Sequence, residues 1–176
     1  WEAEQNNLGQ WKEVKAYDAD DLEQWLEMAP GVAAWLAREI GESPEGVDDV
    51  AGRWEGITTA TTSPLSPSLF LAGREKSIKR LQTWLEGDPS ELLFESRSPV
   101  EVLDFVCAAL TAMPDAEKIA FTSRTVIVGS LTAWRQLRTN IFPTILIVDP
   151  LVELSAEEIG RAITRGHHVL RAVEPR

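Results

Sequence analysis

The sequence predicts an α/β protein in which an N-terminal helical region precedes a small parallel sheet. Residues 125–128 and 144–148 are continuous runs of apolar, mostly β-branched side chains. Such runs are typical of parallel strands that are covered on both faces. Strand-like and helix-like segments alternate from residue 91 to residue 173, whereas apolar residues before residue 60 recur at helical spacing. Right-handed crossovers would join these strands into one sheet.

The N-terminal helices are predicted from caps and apolar spacing. Asp18 is the expected N-cap of the first helix, with Asp20 and Asp21 in its first turn, where acidic side chains are favourable. Pro30 is expected to end this helix and to begin the second, which Gly41 stops. The apolar face of the second helix is expected at Val32, Trp35, Leu36 and Ile40.

A third helix is expected to begin at residues 43–44, a Ser-Pro pair. Its apolar face would carry Val47, Val50, Trp54 and Ile57. The alternating residues 11–17 could form one edge strand ahead of the helices. Five of the seven tryptophans lie before residue 60, and their spacing favours packing anchors over a platform for base stacking.

Local signals also place the elements of the second half. A helix near residues 73–86 is expected to end at Gly87. The expected strands are residues 92–96, a stretch within 119–128 that is clearest at 125–128, residues 144–149 and residues 168–173. Residues 98–101 and 155–158 each form a Ser-x-x-Glu capping box, and Ser130 is expected to cap the helix between them.

Composition divides the chain at a polar, proline-bearing linker over residues 58–67. We therefore expect a Trp-rich acidic helical connector at residues 1–62 and an α/β domain at residues 68–176. Residues 1–67 hold 14 acidic and 4 basic side chains, whereas residues 68–176 hold 14 and 13. The acidic half would repel phosphate backbones, which argues against nucleic-acid binding through this part of the chain.

Other features of the sequence indicate where the protein works. Cys107 is the single cysteine, so an internal disulfide framework is excluded, and its apolar surroundings predict a small buried side chain. No apolar stretch reaches the roughly 18 residues of a membrane span, and no signal peptide is recognisable. The chain begins at Trp1 rather than at a methionine, so we expect a fragment of a longer polypeptide, and the single cysteine fits a reducing, cytoplasmic location.

The carboxyl edge of the sheet is the expected ligand site, because open parallel sheets bind ligands there. The residues that follow the strands at this edge are Ser96, Arg97, Ser98, Gly129, Ser130, Asp149 and Pro150. A nucleotide-binding protein would place the sequence G-x-x-x-x-G-K-[ST] after the first strand. Residues 96–101 contain neither glycine nor lysine. The predicted Rossmann-like or P-loop-like fold therefore lacks the phosphate cradle.

Three residues at this edge are candidates for an anion or nucleotide site. Arg97 and Ser98 lie at a helix N-terminus, where backbone N–H groups attract anions; alternatively, Ser98 only caps the helix and Arg97 is solvated. Asp149 ends an apolar strand, as a Walker B acid does, but acidic residues at strand ends also form turns. The adjacent His167 and His168 point to opposite faces of a strand, which argues against a metal site. No catalytic grouping of nucleophile and base is present.

Short motifs resemble known bacterial proteins. The Leu-Ala-Gly-Arg-Glu sequence at residues 71–75, followed by Leu81, Trp84 and a strand, resembles the start of STAND-type NTPase domains. The closer resemblance is to bacterial multidomain proteins in which a restriction-endonuclease-like (PD-D/E-x-K) domain precedes an NTPase-like segment. Their connector resembles residues 11–26, and residues 161–169 are also similar.

This resemblance implies a helical connector followed by a degenerate NTPase-like domain, with the nuclease residues upstream of Trp1. It implies a cytoplasmic role in regulation or in defence against foreign DNA. Arg74, in the Gly-Arg-Glu segment, joins Arg97, Ser98 and Asp149 as a candidate contact for a nucleotide or anion. The P-loop of the family does not carry over, because no residue here matches its glycines or its lysine.

Three functions remain open at this point. The favoured one is a non-catalytic regulatory or scaffold module, with no cofactor, that contacts other domains of its polypeptide or a protein partner. The second is an unorthodox domain that binds or hydrolyses ATP with Mg²⁺ through Arg97, Ser98 and Asp149, and the missing cradle disfavours it. The third is an oligomerisation module with tryptophans at its interface.

Overall fold

Five strands form one sheet in the computed structural model, which describes residues 16–60 and 62–175. The edge strand expected at residues 11–17 lies outside the described residues except for its last two positions, which are irregular. The described helices are α1 (Ala19–Met28), α2 (Pro30–Glu39), α3 (Val50–Thr59), α4 (Pro67–Leu71), α5 (Glu75–Glu86), α6 (Pro99–Thr111), α7 (Asp115–Thr122), α8 (Leu131–Leu137) and α9 (Ala156–Thr164). The strands are β1 (Val47–Asp48), β2 (Glu91–Glu95), β3 (Thr125–Val128), β4 (Ile145–Val148) and β5 (His168–Val173).

The sheet order is β1-β3-β4-β5-β2. Strands β2, β5, β4 and β3 are parallel, so the predicted parallel sheet is confirmed, and the short β1 adds an antiparallel edge beside β3. The chain crosses from β2 to β3 through α6 and α7 and returns to β4 and β5 through α8 and α9. Right-handed crossovers in opposite directions lie on opposite faces of a sheet, which produces the two helical layers.

Each face of the sheet has its own apolar core, because successive strand residues point to opposite sides. Ile127, Ile147 and Leu170 face α5 and α6, whereas Val126 and Leu146 face α8 and α9. The strands β3 and β4 are buried along their whole length. The continuous apolar runs of the sequence predicted strands that are covered on both faces, and this prediction is confirmed.

The buried Cys107 of α6 belongs to the first of these cores. Burial raises the pKa of its thiol to about 12, because the thiolate is costly in apolar surroundings. Cys107 therefore packs as the small apolar side chain that the sequence predicts.

The local helix signals are mostly confirmed. Asp18, Ser130 and Ser155 each accept a hydrogen bond from a backbone N–H in the first turn of their helix. Pro30 occupies the first position of α2. At the end of α2, the N–H of Glu42 donates to the carbonyl of Ala37 at 2.8 Å, and the left-handed turn that this requires falls on a glycine.

The helix expected to begin at residues 43–44 is wrong in its start, although α3 itself exists. Gly46 adopts φ +72°, and the next two residues pair with β3 as the strand β1. Asp49 then caps α3, because its carboxylate accepts a hydrogen bond from the N–H of Gly52 at 2.8 Å. Pairing with β3 as the edge strand of the sheet therefore overrides the helical spacing of Val47.

Of two further local predictions, one is confirmed and one is wrong. The second strand, expected within residues 119–128 and most clearly at 125–128, is Thr125–Val128, and helix α7 precedes it. The capping box at residues 98–101 is absent, although α6 does begin at Pro99. The N–H of Glu101 donates instead to the backbone carbonyl of Ser98 at 3.1 Å, so the Ser98 hydroxyl has no capping role.

The helices before residue 60 share the cores of the α/β part. Val50 and Trp54 of α3 pack with the α6 core, and Arg53 of α3 pairs with Asp104 of α6 at 3.0 Å. The described parts of the two halves are therefore packed together. The domain boundary between residues 62 and 68 rests on composition alone and stays a prediction. Over residues 16–60 and 62–175, every helix is too short or too polar to cross a lipid bilayer.

Candidate functional site

The carboxyl edge of the sheet holds the candidate Asp149 in a local turn. Its Oδ1 accepts a hydrogen bond from the N–H of Leu151 at 2.9 Å, and its carbonyl accepts one from the N–H of Val152 at 2.9 Å. The side chain lines a hollow of about 330 Å³ together with Arg171 and Glu153. One carboxylate oxygen of Asp149 is therefore engaged in forming the turn after β4.

The candidates beside β2 lie in other surroundings. Arg97 is exposed, and the N–H of Ser98 donates to the hydroxyl of Ser96 at 3.1 Å. The Arg74 guanidinium lies 5.6 Å from the centre of the Phe105 ring. Arg74 lines a separate hollow of about 250 Å³ between α5 and α6. The structure thus places Arg74 and Asp149 in two different hollows, and neither Arg97 nor Ser98 lines either one.

The loop after β3 is closed by the turn that precedes β1. The N–H of Gly129 donates to the carbonyl of Gly46 at 2.8 Å. A Cβ atom on Gly46 would lie 2.4 Å from the hydroxyl of Ser130. This loop therefore packs against protein backbone, and its first N–H group is not free to cradle a phosphate.

The two histidines lie under the opposite, amino end of the sheet. His167 is fully buried, and its Nδ1 accepts a hydrogen bond from the N–H of Thr144 at 3.2 Å. His168 places Nε2 3.3 Å from the carbonyl of Gly87 and packs edge-on against Trp84. Among the described residues, no group of three metal-ligating side chains includes them. The sequence predicted that one of them packs under the edge, and both do.

Acidification below pH 6.5 is expected to destabilise the protein through these histidines. Burial lowers the pKa of His167 and of His168, because the charged imidazolium loses its hydration. As the pH falls below about 6.5, these histidines bind protons in the unfolded chain but stay neutral in the folded chain. Their contribution to the free energy of unfolding is therefore complete above that pH and decreases below it. Urea unfolding at several pH values between about 7.5 and 5.5 should show a loss of up to about 1.4 kcal/mol per pH unit for each histidine.

His167→Asn is the matching variant, because its amide oxygen can still accept the hydrogen bond from Thr144. The variant should have a shallower pH dependence than the parent. An unchanged slope would show that His167 titrates alike in the folded and unfolded chains.

A groove between α2, α3 and α7 is the feature that sequence reasoning missed. It has a volume of about 510 Å³, and Thr111 at the end of α6 also contributes to its lining. The apolar side chains of its walls come from three helices: Val32, Trp35, Val50, Trp54 and Ile119. Trp35 is 43% exposed and Ile119 is 65% exposed, so they form rims of an open surface channel. Exposed apolar patches of this kind mark interaction sites.

The groove exists because α2 binds the sheet through its small residues. Pro30, Gly31 and Ala34 are its buried positions. The expected apolar face is exposed instead, with Val32, Trp35, Leu36 and Ile40 all directed away from the core. The predicted apolar stripe is therefore not the face that packs on the sheet, because small side chains let the α2 backbone approach β3 and leave the large ones outside.

The tryptophan prediction is correct only in part. Trp84 and Trp134 are buried, and Trp54 packs against the α6 core. Trp25 and Trp35 are exposed on α1 and α2, where Trp25 contacts the Tyr17 ring at a centroid distance of 4.5 Å. The remaining tryptophans of the N-terminal half lie outside the described residues. Two of the expected packing anchors are thus available to a partner.

Charged side chains frame one end of the groove. The Arg38 guanidinium lies 3.0 Å from Asp49, 3.2 Å from Glu55 and 3.2 Å from Glu39. The hydrogen bond with Asp49 is the main cause that raises the pKa of Arg38, and the other carboxylates act in the same direction. One cation is therefore shared by three carboxylates, two of which, Asp49 and Glu55, line the groove. On the α7 side, Lys118 lines the groove and pairs with Asp115.

Comparison with known proteins provides no family assignment. Neither the protein-family models, nor the curated proteins, nor the solved structures include one that matches this chain. The resemblance to nuclease-linked NTPases, and the nucleotide or anion contacts inferred at Arg74, Arg97, Ser98 and Asp149, therefore stay predictions.

Proposed function

We propose that this chain is a non-catalytic scaffold or regulatory module whose groove receives a helix from another domain or another protein. The observation that carries the proposal is the open apolar channel between α2, α3 and α7. Amphipathic helices bind such grooves by inserting side chains from one face. Exposed tryptophan at the rim is the kind of residue that dominates binding energy.

Contacts between its walls also hold the groove in shape. This favours binding, because little conformational entropy is lost in ordering the walls when a partner binds. On one wall, the N–H of Gly31 donates to the carbonyl of Ser123 at 2.8 Å and ties α2 to the end of α7. On the other, Arg53 ties α3 to Asp104 of α6. Arg38 and Asp49 join the two walls. The earlier resemblance would place the partner helix in a nuclease-like domain of a bacterial defence or DNA-processing protein.

Nucleotide binding is the competing function from another class. It would require Asp149 and Arg97 to meet a phosphate, yet Arg97 does not line the hollow beside Asp149. Calorimetric titration with ATP and Mg²⁺ separates the two functions. A Mg²⁺-dependent affinity that Asp149→Ala removes would contradict the scaffold proposal.

Helical peptides selected on this protein should bind at the groove. Peptides of about 16 residues, roughly 24 Å long as a helix, would be selected from a displayed library and measured by calorimetry. We expect Trp35→Ser to weaken the selected peptides by about tenfold or more, because it removes a large aromatic contact. Leu151→Ser is the matched control, since Leu151 is an exposed apolar residue outside the groove.

Circular dichroism should show that both variants keep their fold. If the selected peptides bind the parent and the Trp35→Ser variant equally, the groove is not the binding site and the proposal is wrong. Failure to select any helical peptide would also count against it.

A further inference from the structure

The segment that supplies two walls of the groove is acidic, and the charged side chains that line the groove itself are Asp49, Glu55 and Lys118. Residues 16–60, which supply α1, α2 and α3, carry eleven carboxylates and two cationic side chains, a net charge of −9. The cluster at Arg38 adds a specific feature, because one guanidinium faces Asp49, Glu39 and Glu55. The side chain of Glu55 is 63% exposed at the groove, so a carboxylate remains available to a partner.

Charge excludes several alternative occupants. A second copy of this chain would bring two N-terminal segments together, each with a net charge of −9 over residues 16–60, which costs free energy at low salt. Anionic lipid and nucleic acid are repelled for the same reason. Residues 1–15 of this chain carry three glutamates and two lysines, so they offer no net positive charge either.

We infer that the occupant of the groove is a basic amphipathic helix of a partner protein. This inference rests on the proposed function and specifies its partner. The apolar face of the helix lies between Trp35, Trp54 and Ile119, and its lysine or arginine side chains lie over Glu55 and the neighbouring carboxylates. An arginine of the partner supplies the charge that the cluster lacks, since Arg38 alone serves three carboxylates.

The test uses three synthetic peptides of about 16 residues with one leucine and tryptophan stripe at helical spacing. The first carries lysine and arginine on its polar face, the second carries glutamate there, and the third carries glutamine. Binding to the full chain would be measured by calorimetry at low and high salt. We expect the basic peptide to bind about tenfold or more tightly than the glutamate peptide at low salt, with a smaller difference at high salt.

Charge reversal at the groove provides the matched comparison. Glu55→Lys should weaken the basic peptide by about fivefold, whereas Glu86→Lys should change its affinity by less than about twofold. Glu86 is exposed at the end of α5, outside the groove, and gives the same change in net charge. Trp35→Ser should weaken all peptides that use the groove.

The possible outcomes distinguish the function of the groove from the basic character of its partner. Equal binding of the three peptides, all weakened by Trp35→Ser, would overturn the basic partner and leave the groove function in place. Binding that Trp35→Ser does not affect, or no binding at all, would overturn both. A dimer in light scattering that Ile119→Ser dissociates would identify a second copy as the occupant and overturn the basic partner.

Discussion

Replacing Gly31 with alanine is expected to lower the free energy of unfolding by about 3 kcal/mol, because the added Cβ has no space. The atom would lie 2.1 Å from the carbonyl oxygen of Thr122, 2.6 Å from that of Thr125 and 2.9 Å from that of Ser123. These are backbone atoms, so they cannot rotate away as a side chain would. The first turn of α2 must therefore move from the sheet, and the hydrogen bond from the Gly31 N–H to Ser123 is lost.

Urea unfolding followed by circular dichroism measures the loss, and Gly160→Ala is the matched control. Gly160 lies in the exposed part of α9, and its added Cβ would meet nothing within 4 Å. That substitution should stabilise the protein by about 0.5–1 kcal/mol, because alanine is the better helix former. If Gly31→Ala lowered the free energy of unfolding by less than about 0.5 kcal/mol, the α2 backbone would not lie as close to β3 as described.

The second large effect is expected at Asp49, which joins the two walls of the groove. Its Oδ1 accepts the N–H of Gly52 at 2.8 Å, and its Oδ2 accepts the Nε–H of Arg38 at 3.0 Å. Asp49→Ala should lower the free energy of unfolding by about 2 kcal/mol, of which about 1 comes from the lost helix cap. The ion pair contributes about 1 rather than the larger value of a fully buried pair, because the Arg38 side chain is 30% exposed.

Asp49→Asn separates these two contributions. Its amide oxygen can still cap α3, while the negative charge facing Arg38 is removed. Chemical unfolding should therefore show about half of the alanine effect, or about 1 kcal/mol. Equal losses for both variants would mean that the cap contributes little, and that the ion pair alone joins the walls.

The sequence predicted the parallel sheet and most helix limits because those features depend on neighbours in the chain. Asp18, Ser130 and Ser155 accept hydrogen bonds from residues three positions ahead. A left-handed turn at Gly166 ends α9. The burial of β3 and β4 follows from their uninterrupted apolar side chains. No distant contact was needed to foresee any of these features.

Other elements depended on contacts that no local pattern contains. Val47 has a helical apolar spacing, yet its backbone pairs with Val128, 81 positions along the chain. The candidate anion residues illustrate the same limit at the sheet edge. Strand order placed β5 between β2 and β4, so Arg97 and Asp149 follow strands that are not neighbours.

The sequence by itself determined that this protein is an α/β fold with an acidic, Trp-containing helical region before the sheet. The tertiary structure alone decided which side of that region is exposed. An apolar stripe is equally suited to a core or to a partner, and Gly31 and Ala34 gave α2 a second surface that could pack more closely on β3. Close packing of backbone against backbone turned Trp35 outward, and the groove beside it was the result.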